Sequence, residues 1–261
     1  MRYDSNHNML TRVALIALFG LTLLGQADSA LAAAFNVSPT RILLSSQQTS
    51  ALLTLTNDSD KAIRFQLSVV AWDQSDEGQM KLTPNSDIII FPPLVTIAAH
   101  ESRRIRVGAQ VPAGVVERNY RLFVEELPNE ADPTTGARAI QVRTKMGIPV
   151  FLQGLKPTVS TRVENMTARD GILDIELKNS GTAHTLVQTL QVKGFGDGGR
   201  EVFTSTAKSW YLLAQHRQVY HMPLDPAQCA ASKKLVLVVT TDDGNLTNTI
   251  DVPPAACAAK K

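Results

Sequence analysis

Apolar and polar residues alternate in short runs through most of the chain, the period-two signature of strands buried on one face. In the first half Ala51/Leu53/Leu55, Ile63/Phe65/Leu67/Val69, Ile105/Val107 and Tyr120/Leu122/Val124 each mark such a run. The pattern returns over residues 172–177, 186–192, 218–222 and 235–239. Between the runs stand turn formers: residues 57–60, 75–78, Pro92-Pro93, Asp170-Gly171 and 194–199. No window keeps a helical stripe. The pattern therefore predicts an all-β chain with six or seven strands in each half, which suits two immunoglobulin-like sandwiches. The junction falls at Gln153-Gly-Leu-Lys-Pro157, where a strand pattern ends in Gly and Pro.

One run is too long. From Ile140 to Leu152 the even positions read Ile, Val, Thr144, Met, Ile, Val, Leu, thirteen residues in a single phase. That is about 43 Å of strand, where five or six residues are usual. Pro149 cannot donate a ladder hydrogen bond, which puts the strand at a sheet edge. Two readings stand side by side: a strand that crosses its own domain and bends into the next, or a template near Ile140 and Val142 on which a partner adds a strand. Arg41 poses a related question. It falls in phase with Phe35 and Val37, so the chain either switches face at Pro39 or aims a guanidinium into a cleft to bind an anion. A solvated arginine just past a strand break is the plainer alternative.

Residues 13–24 are an uncharged apolar run of 12, preceded by Arg12 and followed by the small-x-small site Ala30-Leu31-Ala32. This reads as a secretory leader, cleaved after residue 32, beginning at Met1 or Met9. Twelve residues fall short of the roughly 20 that span a bilayer, and no later segment is apolar enough, so no membrane insertion is expected. Lys plus Arg number 26 against 24 Asp plus Glu, which gives no case for nucleic acid. Export lets thiols pair. Cys229 and Cys257 flank a hairpin signal centred on Asp243-Gly244, and antiparallel pairing about that turn brings them together, so a disulfide is expected rather than two free thiols. Catalytic signatures are missing: His216 and His221 would face opposite sides of a strand, and there is no Gly-x-Ser-x-Gly or His-Glu-x-x-His. Gly194-Phe-Gly-Asp-Gly-Gly199 fits a phosphate-loop spacing, but a strand follows where a helix is needed, so a hairpin loop is expected. No metal, cofactor or catalytic residue is assigned.

The ordered motifs resemble the periplasmic chaperones of chaperone–usher pilus assembly. Val37-Ser-Pro-Thr-Arg-Ile-Leu-Leu44 is similar to the family's opening strand, with Arg41 at its cleft arginine; Asn57 and Trp72 fall at matching places. Residues 89–95, with Pro92-Pro93, and then Ser102 to Val107 match its Pro-Pro segment and following strand. Glu117-Arg-Asn-Tyr-Arg-Leu-Phe-Val-Glu-Glu-Leu-Pro128 resembles the run that closes the sixth strand. The resemblance implies two immunoglobulin-like domains in an L or boomerang, over 33–153 and 154–261, with a cleft between them. It implies that the seventh strand is lent to pilus subunits, with Ile140, Val142 and Thr144 filling the subunit's open groove. It implies that Arg41 anchors the subunit's terminal carboxylate, and it places Pro92 and Arg106 where family members touch the outer-membrane usher or keep surface contacts. The chain departs from the family at two places: the partner lysine position falls on Gly147, leaving Lys145 and Arg121 as candidate anchors, and the bracing arginine is missing from residues 150–154.

The expected function is a non-catalytic periplasmic chaperone that stabilises pilus subunits by donor-strand complementation, self-capping into a dimer when free. An exported structural or adhesive protein with immunoglobulin-like domains is the alternative, and an exported hydrolase is disfavoured by the motif search.

Overall fold

The computed structural model describes residues 35–128 and 143–257. The leader, Ile140 and Val142 lie outside the described residues. The first sandwich is built from β1 (Phe35–Ser38), β2 (Ile42–Leu44), β3 (Ser50–Asn57), β4 (Ile63–Gln74) and β5 (Met80–Pro84). It continues with β6 (Ile88–Phe91), β7 (Leu94–Ile97), β8 (Ser102–Ala109), β9 (Arg118–Leu127) and β10 (Lys145–Leu152). One sheet runs β1-β3-β8-β6; the other runs β2-β10-β9-β4-β5, with β7 also on β4. Alternation dictates the core: Leu53, Leu55, Phe65, Ile105, Val107, Leu122, Val124, Ile148 and Val150 are buried. Each contributes roughly 1.5–3 kcal/mol by leaving water. Phe35 meets Phe65 edge to face across the sheets at 4.7 Å.

The second sandwich holds β11 (Thr161–Arg169), β12 (Ile172–Asn179), β13 (Thr185–Phe195) and β14 (Glu201–Lys208). β15 (Tyr211–Leu212), β16 (Arg217–Pro223), β17 (Lys234–Thr241) and β18 (Gly244–Asp251) complete it. Its sheets run β11-β12-β16 and β14-β13-β17-β18, with β15 on β13. Leu173, Ile175, Leu177, Val187, Leu190, Val192, Leu235, Leu237 and Val239 share its core. The phase along β13 changes between Val187 and Leu190 because the register shifts there, a bulge that strict alternation does not foresee.

Two details correct the sequence reading. The β17–β18 turn is Asp242-Asp243, one residue earlier than expected, because Thr241 pairs with Gly244. Gly244 opens β18 at φ +133, a conformation L residues rarely adopt. A one-turn helix, α1 (Pro226–Ala230), interrupts the β pattern; the Asp225 carboxylate caps it by accepting from Ala227 N and Gln228 N at 3.1 and 2.9 Å. That helix carries Cys229 to Cys257, and the two form the expected disulfide. Among the described residues, no helix is long and apolar enough to cross a membrane.

Candidate functional site

β10 has two kinds of neighbour. Along its whole length, Lys145 to Leu152, it pairs antiparallel with β9. On the other side β2 pairs with it in parallel, but only over Val150–Leu152. Lys145 to Pro149 therefore present a free edge among the described residues. This refines the expected edge strand: it is an edge up to Pro149 and internal beyond it. Pro149, which has no N–H to donate, stands where β2 is about to take over. Thr144 continues the inner pairing, its carbonyl accepting from Glu126 N at 3.0 Å. The odd residues of β10 face away from the first core, and Phe151 does so while fully buried.

Arg41 is exposed and immediately precedes β2. Phe35 and Val37 lie buried on the β1–β3 sheet, and the chain then crosses at Ser38–Thr40 to the sheet of β2, so the sheet switch at Pro39 releases Arg41 from the apolar phase. β2 runs parallel to β10, so Arg41 stands at the point where the free edge ends.

On β9, Arg121 is directly opposite Pro149 of β10 and Val70 of β4. Residues paired across a sheet share a face, so its side chain lies on the face that carries Trp72 and Phe151. Its guanidinium carbon sits 4.5 Å from the Trp210 ring centroid and 5.7 Å from that of Trp72. The Nε and Nη1 atoms are buried without a hydrogen-bond partner. Burial lowers the Arg121 pKa from its ordinary value, and the Tyr211 hydroxyl opposes that shift. Gly147 explains the missing lysine: a Cβ there would come within 2.6 Å of Arg121 Nε and 3.1 Å of Phe123 Cε1. The arginine thus takes the space that a side chain at 147 would need.

Lys145 is not brought to Arg121. Its ammonium pairs with Glu125 at 2.9 Å and lies 4.9 Å from the Phe123 ring centroid, four residues along the strand from Pro149. Arg106 lies elsewhere, on the outward face of the other sheet, where it pairs between Leu52 and Phe91 and donates to Ser50 Oγ at 3.2 Å. Leu52, Ile89 and Phe91 are exposed there, Phe91 by 70%. Pro92 follows Phe91 at the end of β6.

The two sandwiches meet through residues that the sequence reading missed. Gln74 Nε2 donates to the Tyr211 carbonyl at 2.7 Å, and Leu213 N donates back to Gln74 Oε1 at 3.1 Å. Glu117, fully buried at its side chain, accepts from the backbone N and ring Nδ1 of His184 at 3.1 and 2.7 Å. The His184 ring lies on Phe151 with centroids 3.6 Å apart. Asp76 takes two bonds from Arg217, and Asp73 meets His216. Phe151 and the Glu117–His184 pair occupy the junction from which the expected bracing arginine is missing. Among the described residues no group of three His, Cys, Asp or Glu side chains could hold a metal ion.

Residues 34–158 match the family model described as pili and flagellar-assembly chaperone, PapD N-terminal domain. No curated protein matches the chain by sequence at a significant level. Solved structures with the same fold include the chaperone–tip adhesion subunit complex CsuC–CsuE of archaic chaperone–usher Csu pili from Acinetobacter baumannii. It is 19% identical, with a TM-score of 0.55 over 83% of this chain and 97% of that one. The YadV chaperone is 14% identical at TM-score 0.55, covering 84% and 99%. The Salmonella enterica SafA pilin–SafB chaperone complex is 15% identical at 0.53, covering 83% and 96%.

Proposed function

Because residues 34–158 match the pili and flagellar-assembly chaperone family, we propose that this chain is a pilus-assembly chaperone, binding pilus subunits in the periplasm by lending them the leading part of its β10 strand. The observation that carries this is the free edge of Lys145–Pro149, which ends at the start of β2. A client strand added there in parallel would run in line with β2, and its C-terminus would arrive at Arg41. Upstream, Ile140 and Val142 continue the even phase of β10 and would fill the client's open groove, with Thr144 between them and the strand described here. Arg41 would fix the register by holding the client's terminal carboxylate, with Arg121 across Pro149 as a second cation. Lys145, held by Glu125, would screen the approach rather than anchor the end. Two of the structures sharing this fold are complexes of a chaperone with a pilin or a tip subunit, which supports a client of that class.

The exposed row of Leu52, Arg106 and Phe91, with Ile89 and Pro92 beside it, would deliver the loaded complex to an outer-membrane usher. In the absence of client, two copies capping each other's free edges would protect the same backbone groups. The test is co-expression with a cognate subunit. Ile140→Asp with Val142→Asp should abolish recovery of soluble subunit while leaving the chaperone folded; undiminished recovery refutes strand lending. Replacing Phe91 by Ser should leave the binary complex intact and block pilus assembly.

A further inference from the structure

Four of the six buried side-chain polar atoms left without a partner among the described residues belong to three neighbouring positions: Trp72 Nε1, Asn119 Oδ1, and Arg121 Nε and Nη1. These residues share one face of β4 and β9, the face that meets the second sandwich. Among the described residues Arg121 has no ion pair, so a half-buried guanidinium keeps its Nε and Nη1 out of water with aromatic faces against it. The nearer ring, Trp210, comes from the other sandwich. It is fixed there by Val187 N, which donates to the Trp210 carbonyl at 2.9 Å, and it stacks on Trp72 with centroids 5.1 Å apart and planes at 28°.

An arginine carries rotamer freedom that must be lost before its planar fork can meet a carboxylate. Here Trp72, Trp210 and the gap above Gly147 have already removed it. We propose that Trp210 is a positioning residue: it holds Arg121 as a preset carboxylate receptor, so that capture of an anionic chain end depends on how the second sandwich is seated. This rests on the reading of Arg121 as a second anchor for the client's terminal carboxylate. Without Trp210 the guanidinium would swing into water, and ordering it again would weaken carboxylate binding.

The molecule carries its own reporter. Its two tryptophans, Trp72 and Trp210, are both in this cluster. The probe is acetate, with acetamide as its uncharged twin and chloride holding ionic strength constant, titrated into the full chain while tryptophan emission is followed. Acetate should change the emission saturably and acetamide should not, and Arg121→Gln should abolish the acetate response. Trp210→Phe, which keeps a ring over the guanidinium, should leave half-saturation within about twofold. Trp210→Leu, read from Trp72, should raise it roughly tenfold, the equivalent of one lost aromatic–cation contact. An unchanged half-saturation in Trp210→Leu, an equal loss in Trp210→Phe, or no acetate response in the parent protein overturns the proposal. Subunit recovery separates the two claims: if Arg121→Gln loses the acetate response yet recovers client normally, the preset receptor stands and the anchoring reading fails.

Discussion

A half-buried guanidinium lying against a stacked pair of indoles and beside a glycine, with its Nε and Nη1 buried and unpartnered among the described residues, costs the free protein stability. Arg121→Met keeps the packing and removes the buried charge. It should therefore raise the urea midpoint, by on the order of 1 kcal/mol in unfolding free energy, while weakening client capture; a lower midpoint would mean that the arginine is a structural asset. Gly147 tests the same contact from the other side. A Cβ there meets Arg121 Nε at 2.6 Å, so Gly147→Ala should cost roughly 1–3 kcal/mol by overpacking and displace the guanidinium, read as a red-shifted tryptophan emission. The sequence singles out Arg121 and Gly147 as departures from a familiar pattern but cannot connect them. Their common cause is a pair of tryptophans far apart along the chain, and no local periodicity encodes a contact between separate sandwiches.

At the scale of elements, alternation carries most of the information. The buried set Leu53, Leu55, Phe65, Tyr120, Leu122 and Val124 is the set that period two selects, because a strand with one wet face has no other register available. The misses occur where the backbone leaves period two: the bulge in β13, the turn displaced to Asp242-Asp243, and the capped α1. The disulfide survives these misses, since a one-residue error at the turn still leaves Cys229 and Cys257 flanking the open end of the β17–β18 pair. The bond closes a loop with a sequence separation of 28 residues. In the loop-entropy picture its removal by Cys229→Ala with Cys257→Ala should destabilise the second sandwich by about 3–4 kcal/mol. Thermal unfolding followed with and without reductant checks this, and equal midpoints would show that the hairpin closes without the staple. The long strand was the most telling element in the sequence. Its alternating phase is legible over residues 140–152, of which the strand among the described residues is Lys145–Leu152, whereas the change from free edge to flanked strand at Pro149 depends on where β2 arrives, which phase does not encode.

For the whole molecule the question is how firmly the sandwiches are joined, since Arg121 and Trp210 belong to different ones. The joint is part neutral and part charged. Gln74 makes two bonds to the backbone of the second sandwich. Gln74→Ala strands the buried Tyr211 carbonyl and Leu213 N–H, a cost of about 1–3 kcal/mol for each group left unmet. The charged part responds to pH. Asp76 is held below the ordinary carboxylate range chiefly by the hydrogen bonds from Arg217; desolvation opposes this, and the positive charges of Arg217, Lys81 and His216 add to the lowering. A carboxyl whose pKa is depressed on folding supports the native arrangement above its unfolded value, near 3.9, and the support drains away as pH falls through the lowered value. The window is therefore below about pH 4. Across it Asp76 releases Arg217. Small-angle scattering and the tryptophan emission should both change as pH falls from 5 to 2.5, and Asp76→Asn should show the loosened values already at pH 5. Were the Asn variant to titrate like the parent, the acid response would belong to another pair across the joint, with Asp73 and His216 next to be replaced.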